Sequence, residues 1–154
     1  MTSGDNATKA MADALNTILA DSYALFLKTK NFHWHVAGPN FRDYHLMFDE
    51  HALEILAITD AVAERVRKLG HRTLTSIGDI SKHQSISDND NEKVSALDMI
   101  KELRDDNMKF VDRLKQAKEL ADDAGDNATD GLIDDWTDQA EERAWFLREI
   151  AKKD

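Results

Sequence analysis

The chain has 154 residues, of which 42% are hydrophobic and 32% charged, and its net charge is −10. This balance is typical of one globular domain and excludes a disordered chain. With no cysteine, disulfides, thiol catalysis and thiolate metal sites are excluded. No apolar run approaches the ~20 residues of a membrane span, and the first residues lack the apolar stretch of a signal peptide, so we expect a soluble, cytoplasmic protein. The acidic charge also argues against nucleic-acid binding.

Four long stretches have apolar residues at spacings of three and four, which is the pattern of amphipathic helices. We predict helices over residues 8–36, 40–69, 95–121 and 129–151. Residues 1–7 are expected to form a short flexible tail of a single domain, 1–154. Gly38 and Pro39 separate the first two helices, and Gly70 is a suitable residue to end the second.

Residues 71–94 are weakly patterned, and we expect a short helix inside this long connection. Ser95 and Asp98 resemble a capping box at the start of the third long helix. Short, long and short connections predict an all-α four-helix bundle with a crossover between its second and third helices. Trp136 and Trp145 are predicted to lie in the core, and Trp34 in the core or an interface. The other histidines are interpreted as structural or solvent-facing: His35, His51, His71 and His83.

The second predicted helix carries two polar pairs on one face. His45 and Asp49 are four residues apart, as are Asp60 and Glu64, so each pair lies on one side of the helix. Asp60 follows Asp49 by eleven residues, almost three whole turns, so the two pairs share one stripe. The stripe between the pairs is apolar and contains Leu53 and Leu56. Without cysteine, histidine and carboxylate ligands of this kind suit iron, manganese, zinc or magnesium.

The length of the helix prevents both pairs of one chain from binding the same ion. Asp49 and Asp60 lie roughly 16 Å apart along the axis, whereas ligands lie about 2.0–2.3 Å from an ion. A second copy of the helix, crossing antiparallel about a two-fold axis, would bring the acidic pair of one chain against His45 and Asp49 of the other. His33 is a candidate for a further ligand. The alternative interpretation is a solvated helix face on which His45 and Asp49 form only a local hydrogen bond.

Two other metal patterns are absent from the sequence. The di-iron site inside a single ferritin-type bundle requires Glu-x-x-His on two helices, and the chain contains no such sequence. It also contains no His-Glu-x-x-His zinc motif.

The segments "NFHWHVAGPNFRDYHLMFDE" and "TDAVAERVRKLG" resemble the signature of the Dps family, the mini-ferritins also called DNA-binding proteins from starved cells. Five residues match the spacing of the family's ferroxidase ligands: His33, His45, Asp49, Asp60 and Glu64. The resemblance in length and helix plan covers essentially the whole chain.

This resemblance implies a ferritin-like bundle that assembles through two-fold and three-fold interfaces into a hollow dodecamer. It implies a ferroxidase that binds Fe(II) through His33, His45 and Asp49 of one subunit and Asp60 and Glu64 of the partner subunit. Hydrogen peroxide, in preference to dioxygen, would oxidise the iron, and the ferric product would be stored as mineral. Such a protein would protect a bacterial cytoplasm, including its nucleoid region, from oxidative damage. Zinc is a possible substitute at the site.

The resemblance also assigns roles outside the ligand set. Trp34 matches a family position that protects the protein from stray radicals. Acidic pores in the family are lined from the segment that reads "LADDAGDNATDGLIDD" here, which makes four residues candidates: Asp122, Asp123, Asp126 and Asp130. Gly131 departs from the pattern, because relatives commonly carry an aspartate there, and a solvated acidic loop is the alternative. Glu50 and Glu54 lie off the ligand stripe and are either mineral-nucleating or ordinary solvated acids.

DNA binding in this family depends on basic tails, and both tails of this chain are poor polycations. Lys9 stands against Asp5 near the start, and Lys152 and Lys153 precede an aspartate at the end. We therefore predict weak or absent DNA binding. Two alternatives to a ferroxidase remain: a non-enzymatic, DNA-compacting or protective shell, and a bundle that binds zinc or manganese.

Overall fold

The computed structural model describes residues 3–153, which form five helices and no strand. The helices are α1 (Ser3–His35), α2 (Phe41–Lys68), α3 (Ile77–His83), α4 (Ala96–Ala124) and α5 (Asn127–Ala151). Helix α1 packs along α2 and α4 along α5, while α1 also contacts α4 and the short α3. The predicted four-helix bundle, with a short helix in the crossover from α2 to α4, is confirmed. No helix in this part of the chain is long and apolar enough to cross a membrane.

Helix α1 begins earlier than predicted. It starts at Ser3, so residues 3–7, which we expected to belong to a flexible tail, are helical, and residues 1 and 2 lie outside the described part. Asp5 lies in the first turn, where a carboxylate interacts favourably with the helix dipole. The Thr8 hydroxyl donates a hydrogen bond of 2.9 Å to the Gly4 carbonyl and ties the second turn to the first.

Two predicted helix ends are confirmed by their capping contacts. The Ser95 hydroxyl oxygen accepts a 3.1 Å hydrogen bond from the Asp98 amide at the start of α4. After α2, Gly70 adopts a left-handed conformation with φ of 86°, and its amide donates to the Arg67 carbonyl at 2.9 Å. A side chain would be strained there, which explains the glycine.

Buried apolar side chains from α1, α2, α4 and α5 form the core. It includes Met11, Leu15, Ile18, Ile100, Leu103, Phe110, Leu114, Ala117, Ala121 and Leu147. Trp136, only 3% exposed, is confirmed as a core residue. The core prediction for Trp145 is wrong, because its side chain is 49% exposed. At ~100° per residue, Trp145 points roughly 200° away from its buried neighbour Leu147, two positions along the helix.

Of the four remaining histidines, His35 and His83 are exposed, His71 is partly exposed and His51 is buried. Nδ1 of His35 and Nδ1 of His83 each donate to a backbone carbonyl four residues earlier in the same helix, at 2.9 and 2.8 Å. His51 is instead buried beside α5. Burial, followed by the positive charge of Arg143, lowers the pKa of His51 to about 4. This imidazole is therefore neutral at neutral pH.

A buried carboxylate fixes the crossover against the bundle. Asp21 is fully buried on α1, and its two oxygens accept hydrogen bonds from the amide and hydroxyl of Ser85, both 2.6 Å, and from the Ile86 amide at 3.0 Å. Lys28, also buried, donates to the Ser87 carbonyl at 2.8 Å. The segment that follows α3 is thus held by side chains of α1 and not by regular secondary structure.

We expect Asp21→Asn to destabilise the protein by about 1–3 kcal/mol, because an amide cannot accept all three bonds and leaves a buried donor unpaired. Urea unfolding would measure the free energy, and hydrogen exchange should show faster exchange at the Ser85 and Ile86 amides. Asp90→Asn, an exposed acid in the same connection, is the matched control. Equal exchange at these amides in both variants would contradict the assignment.

Candidate metal centre

Two histidines on different helices bind each other's backbone across the turn between α1 and α2. Nδ1 of His33, in the last turn of α1, lies 2.6 Å from the His45 carbonyl oxygen. Nδ1 of His45, early in α2, lies 2.7 Å from the His33 carbonyl oxygen. The two rings stack with centroids 3.9 Å apart and planes 13° from parallel. We call this arrangement the histidine pair.

These hydrogen bonds determine which ring nitrogens are available to a metal. A carbonyl oxygen can only accept, so each Nδ1 must carry the proton and donate. Nε2 of His33 and of His45 is then unprotonated in the neutral ring and keeps its lone pair. Hydrogen bonds of this kind orient metal-ligating histidines and fix their tautomer. Both Nε2 atoms can therefore act as electron-pair donors without a change of tautomer.

Asp49 lies beside the histidine pair and already has a cationic partner. One of its carboxylate oxygens is 3.9 Å from Nε2 of His33 and 2.7 Å from the ammonium of Lys30. The hydrogen bond from Lys30 is the main cause of a lowered pKa of Asp49. The sequence reasoning missed Lys30, although its position three residues before His33 places it on the same side of α1.

The second predicted pair is separate from this cluster. Asp60 and Glu64 are both exposed on α2. Asp60 lies roughly 16 Å from Asp49 along the helix axis. Within residues 3–153, no three histidine or acidic side chains lie close enough together to hold a metal ion. A single chain thus places His33 beside both His45 and Asp49 without closing the three around one ion, and it leaves the other two predicted ligands apart from them.

The face of α2 between the two polar pairs is apolar and uncovered in one chain. Between the pairs, Leu53 is 53% exposed and Leu56 is partly exposed, and nearer the start of the helix Leu46 and Phe41 are also exposed large apolar side chains. Such side chains in a row on one helix face mark a surface that another protein surface covers.

Trp34 lies next to the histidine pair but outside the core. Its side chain is 57% exposed, which excludes the core position and leaves the predicted interface position. The Lys30 ammonium lies 5.9 Å from the centroid of the indole ring, within the range of a cation–π contact. The Lys30 ammonium thus contacts both the indole ring of Trp34 and the carboxylate of Asp49.

The two acids proposed for mineral nucleation differ in environment. Glu50 is exposed. Glu54 is partly buried, and one of its oxygens accepts a hydrogen bond from the guanidinium of Arg143. The positive charge of Arg143 balances the negative charge of this carboxylate. Glu54 is therefore neither an ordinary solvated acid nor an unpaired carboxylate that could bind iron.

The acidic segment between α4 and α5 contains one structural residue among the pore candidates. Asp126 is the N-cap of α5, and its oxygens accept hydrogen bonds from the amide and hydroxyl of Thr129. Arg65 on α2 donates to the same carboxylate at 2.9 Å. Burial favours the neutral acid, but the bonds from Thr129 and Arg65 lower the pKa of Asp126 overall. We therefore remove Asp126 from the pore candidates, because its carboxylate is occupied by cap and ion-pair contacts.

Two of the other acidic candidates, Asp122 and Asp130, lie near Lys118, which the sequence reasoning also missed. Lys118 forms an ion pair with Asp130 and another, at 2.8 Å, with Asp134. A hydrogen bond between Asp122 and Asp130 raises the pKa of Asp122 and lowers that of Asp130. Asp123 and Gly131 are exposed.

Comparisons with known proteins agree with this architecture. The family model described as "Ferritin-like domain" matches residues 12–154. The "DNA protection during starvation protein" of Brevibacillus brevis is 33% identical over 89% of this chain and 91% of its own length. The crystal structure of Dps from Thermosynechococcus elongatus superposes with a TM-score of 0.95 at 26% identity, covering 99% of this chain and 97% of that one.

A third comparison concerns the wider class. The Dps protein of Vibrio cholerae O1, described as a member of a broad superfamily of ferritin-like diiron-carboxylate proteins, superposes with a TM-score of 0.90 at 25% identity. It covers 96% of this chain and 92% of its own. The helix order and the matched family model define a ferritin-like protein. Within that class, the chain belongs to the Dps family, which supports a broad role in iron storage and protection.

We expect Lys30→Met to increase the affinity of the assembled protein for divalent metal about ten-fold or more, because no ammonium must then be displaced from Asp49. Anaerobic calorimetric titration with Co²⁺ would measure the dissociation constant. Lys9→Met, which removes the exposed ion pair with Asp13 far along α1, is the control. Unchanged or weaker binding in Lys30→Met would show that the lysine does not compete with metal.

Proposed function

We propose that this protein is a ferroxidase that oxidises Fe(II), preferably with hydrogen peroxide, at sites shared between two subunits. The observation that carries the proposal is the incomplete cluster of His33, His45 and Asp49, whose two ring Nε2 atoms are held ready for a metal. Asp60 and Glu64, exposed on the same helix, supply the missing ligands when they come from the partner subunit.

The exposed face of α2 supports a two-fold arrangement of this kind. In an antiparallel crossing of two α2 helices, the polar pair at each end of the stripe meets the opposite pair of the other helix. Leu53 then lies near the axis, where a second copy covers its exposed side chain. Because a two-fold contact uses the same surface twice, each dimer contains two equivalent sites.

The ligand types suit the oxidation of ferrous iron. Imidazole nitrogen retains affinity for Fe(II), whereas hard carboxylate oxygens favour Fe(III), so Asp49, Asp60 and Glu64 help to drive the loss of an electron. Two ferrous ions supply the two electrons that reduce one hydrogen peroxide to water. When iron and peroxide are consumed together in this way, hydroxyl radicals are not formed. Lys30 must leave Asp49 as iron enters.

Trp34 is proposed to limit damage at the site. The indole ring is adjacent to His33 in sequence and exposed on the chain surface. An aromatic ring at this position can take up an oxidising equivalent that escapes the iron. The cation–π contact with Lys30 holds the ring on the same side as the ligands.

The proposed assembly is a dodecamer that stores ferric mineral in its cavity. Subunits would meet through the α2 face at two-fold axes and through further contacts at three-fold axes. Asp122, Asp123 and Asp130 remain candidates to line an iron-admitting pore, while Lys118 opposes part of their charge. We also propose that the assembled protein is located in a bacterial cytoplasm.

Mixed assemblies of two inactive variants provide the test. His45→Ala and Asp60→Ala should each lose nearly all fast ferroxidase activity, because each variant removes a ligand from every shared site. In a random mixture, half of the dimers are mixed, and each mixed dimer has one intact and one doubly damaged site. We therefore expect co-expressed subunits to recover about one quarter of the wild-type rate, measured as ferric absorbance after peroxide addition.

Two further readouts complete this experiment. Iron should elute with a particle of about twelve subunits in the wild type, and Asp112→Ala, which changes an exposed acid on α4 outside the ligand set and the pore candidates, should retain full oxidation rates. No recovery in mixed assemblies would exclude a shared site. Fast oxidation by Asp60→Ala alone would exclude the acidic pair as ligands.

We expect no DNA retardation in a mobility-shift assay with equimolar dodecamer at about 150 mM salt. The net charge of −10 per chain repels phosphate, and neither terminus carries a cluster of lysine or arginine. A variant with four lysines added after Met1 is the positive control and should shift the DNA. Retardation by the unmodified protein would instead favour a DNA-compacting shell.

A further inference from the structure

A charged residue is buried in the middle of the bundle, apart from the α2 stripe described above. Arg143 on α5 is 2% exposed and lies among α2, α4 and α5. An unpaired buried charge is strongly unfavourable, so the groups around this guanidinium define a polar centre in an otherwise apolar interior.

Two neighbouring helices contribute oxygen acceptors to the guanidinium. Nε of Arg143 donates to the side-chain oxygen of Asn107 on α4 at 2.8 Å. Asn107 is itself oriented, because its amide nitrogen donates to the Leu103 carbonyl at 2.8 Å. Nη1 of Arg143 donates to Glu54 on α2. Nη2 is buried and has no hydrogen-bond partner in the described part of the chain.

His51 adds a nitrogen donor atom to the same polar centre. It precedes Glu54 by three residues, so the two side chains lie on one face of α2. His51 is buried, and among residues 3–153 its Nδ1 has no hydrogen-bond partner. The ring centroid lies 6.1 Å from that of Phe146 on α5.

The groups around the guanidinium are the ligand types of a metal site. A carboxylate, an amide oxygen and an imidazole nitrogen together suit a first-row divalent metal. Ferritin-like di-iron bundles place metal at their centre with glutamate and histidine three residues apart on a helix. Here His51 and Glu54 have that separation in the reverse order, and a permanent cation stands among them.

We propose that the guanidinium of Arg143 occupies a latent metal site formed by Glu54, His51 and Asn107, and that it excludes divalent cations from the bundle interior. The guanidinium satisfies Glu54 as a metal would, and its charge opposes the entry of a second cation. The consequence is that metal binds the chain only through its surface ligands. This inference concerns one chain and does not depend on the shared site of the proposed function.

Removal of the guanidinium tests the proposal, with Co²⁺ as the metal probe. The full chain would first carry His45→Ala and Asp60→Ala, which remove one ligand from each half of the surface site. In that background, Arg143→Ala should bind one additional Co²⁺ per chain by equilibrium dialysis, with visible absorption typical of nitrogen and oxygen ligands. Adding Glu54→Gln should weaken this binding about ten-fold or more, because the carboxylate supplies the negative charge of the site.

Arg143→Lys is the matched control, because it keeps a positive charge at the same position and should bind no additional Co²⁺. Circular dichroism reports folding of each variant. If Arg143→Ala is unfolded without metal, Co²⁺ should restore its helicity, since metal bound to the native state stabilises it. The proposal is overturned if Arg143→Ala neither binds Co²⁺ nor regains helicity with it. It is also overturned if the additional Co²⁺ persists undiminished in the Glu54→Gln variant.

Discussion

The rigidity of α2 constrains everything else about the candidate site. A straight helix keeps Asp49 and Asp60 roughly 16 Å apart, so no side-chain rotation within one chain brings both to the same ion. The structure agrees, since no three candidate ligands meet within residues 3–153. A chain built this way either uses the two polar pairs separately or completes them with a second copy. The exposed apolar stripe between the pairs favours the second copy. Exposed apolar side chains are unfavourable in water, and a second copy would cover them, whereas two independent sites would leave them exposed.

The histidine pair couples this site to the fold. His33 lies in the last turn of α1 and His45 lies near the start of α2, and each ring bonds to the backbone of the other helix. In the turn between the two helices, Gly38 and Asn40 have positive φ angles. A positive φ is unfavourable for a residue with a side chain such as Asn40, so the contacts between the two helix ends help to stabilise this turn. The same two bonds that hold the turn closed also set the tautomer of each ring. The proposed metal coordination and the packing of α1 on α2 therefore depend on the same contacts. A substitution of either histidine would affect both.

The sequence allowed the helices and the ligand candidates to be predicted because both follow short spacing rules. Apolar periodicity located the four long helices, and Gly70 and Ser95 marked two of their ends. Contacts between distant elements could not be predicted in this way. Lys30 beside Asp49, Arg65 beside Asp126 and Arg143 beside Glu54 all join residues of different helices. The core prediction for Trp145 was wrong for a related reason. An aromatic side chain in an amphipathic helix is buried only if it lies on the helix face that packs against the core.

The cations that the sequence reasoning missed share one physical role. The chain is strongly acidic, and several of its clustered carboxylates are held by the ammonium or guanidinium of another helix. A divalent metal that reaches such a carboxylate competes with an internal cation and not only with water. The type of cation then matters. Lysine has a flexible stem and can swing away from Asp49 into solvent, whereas Arg143 is buried and bound at two of its nitrogens. The chain therefore places the displaceable cation where metal is proposed to bind and the fixed cation where the bundle must stay closed.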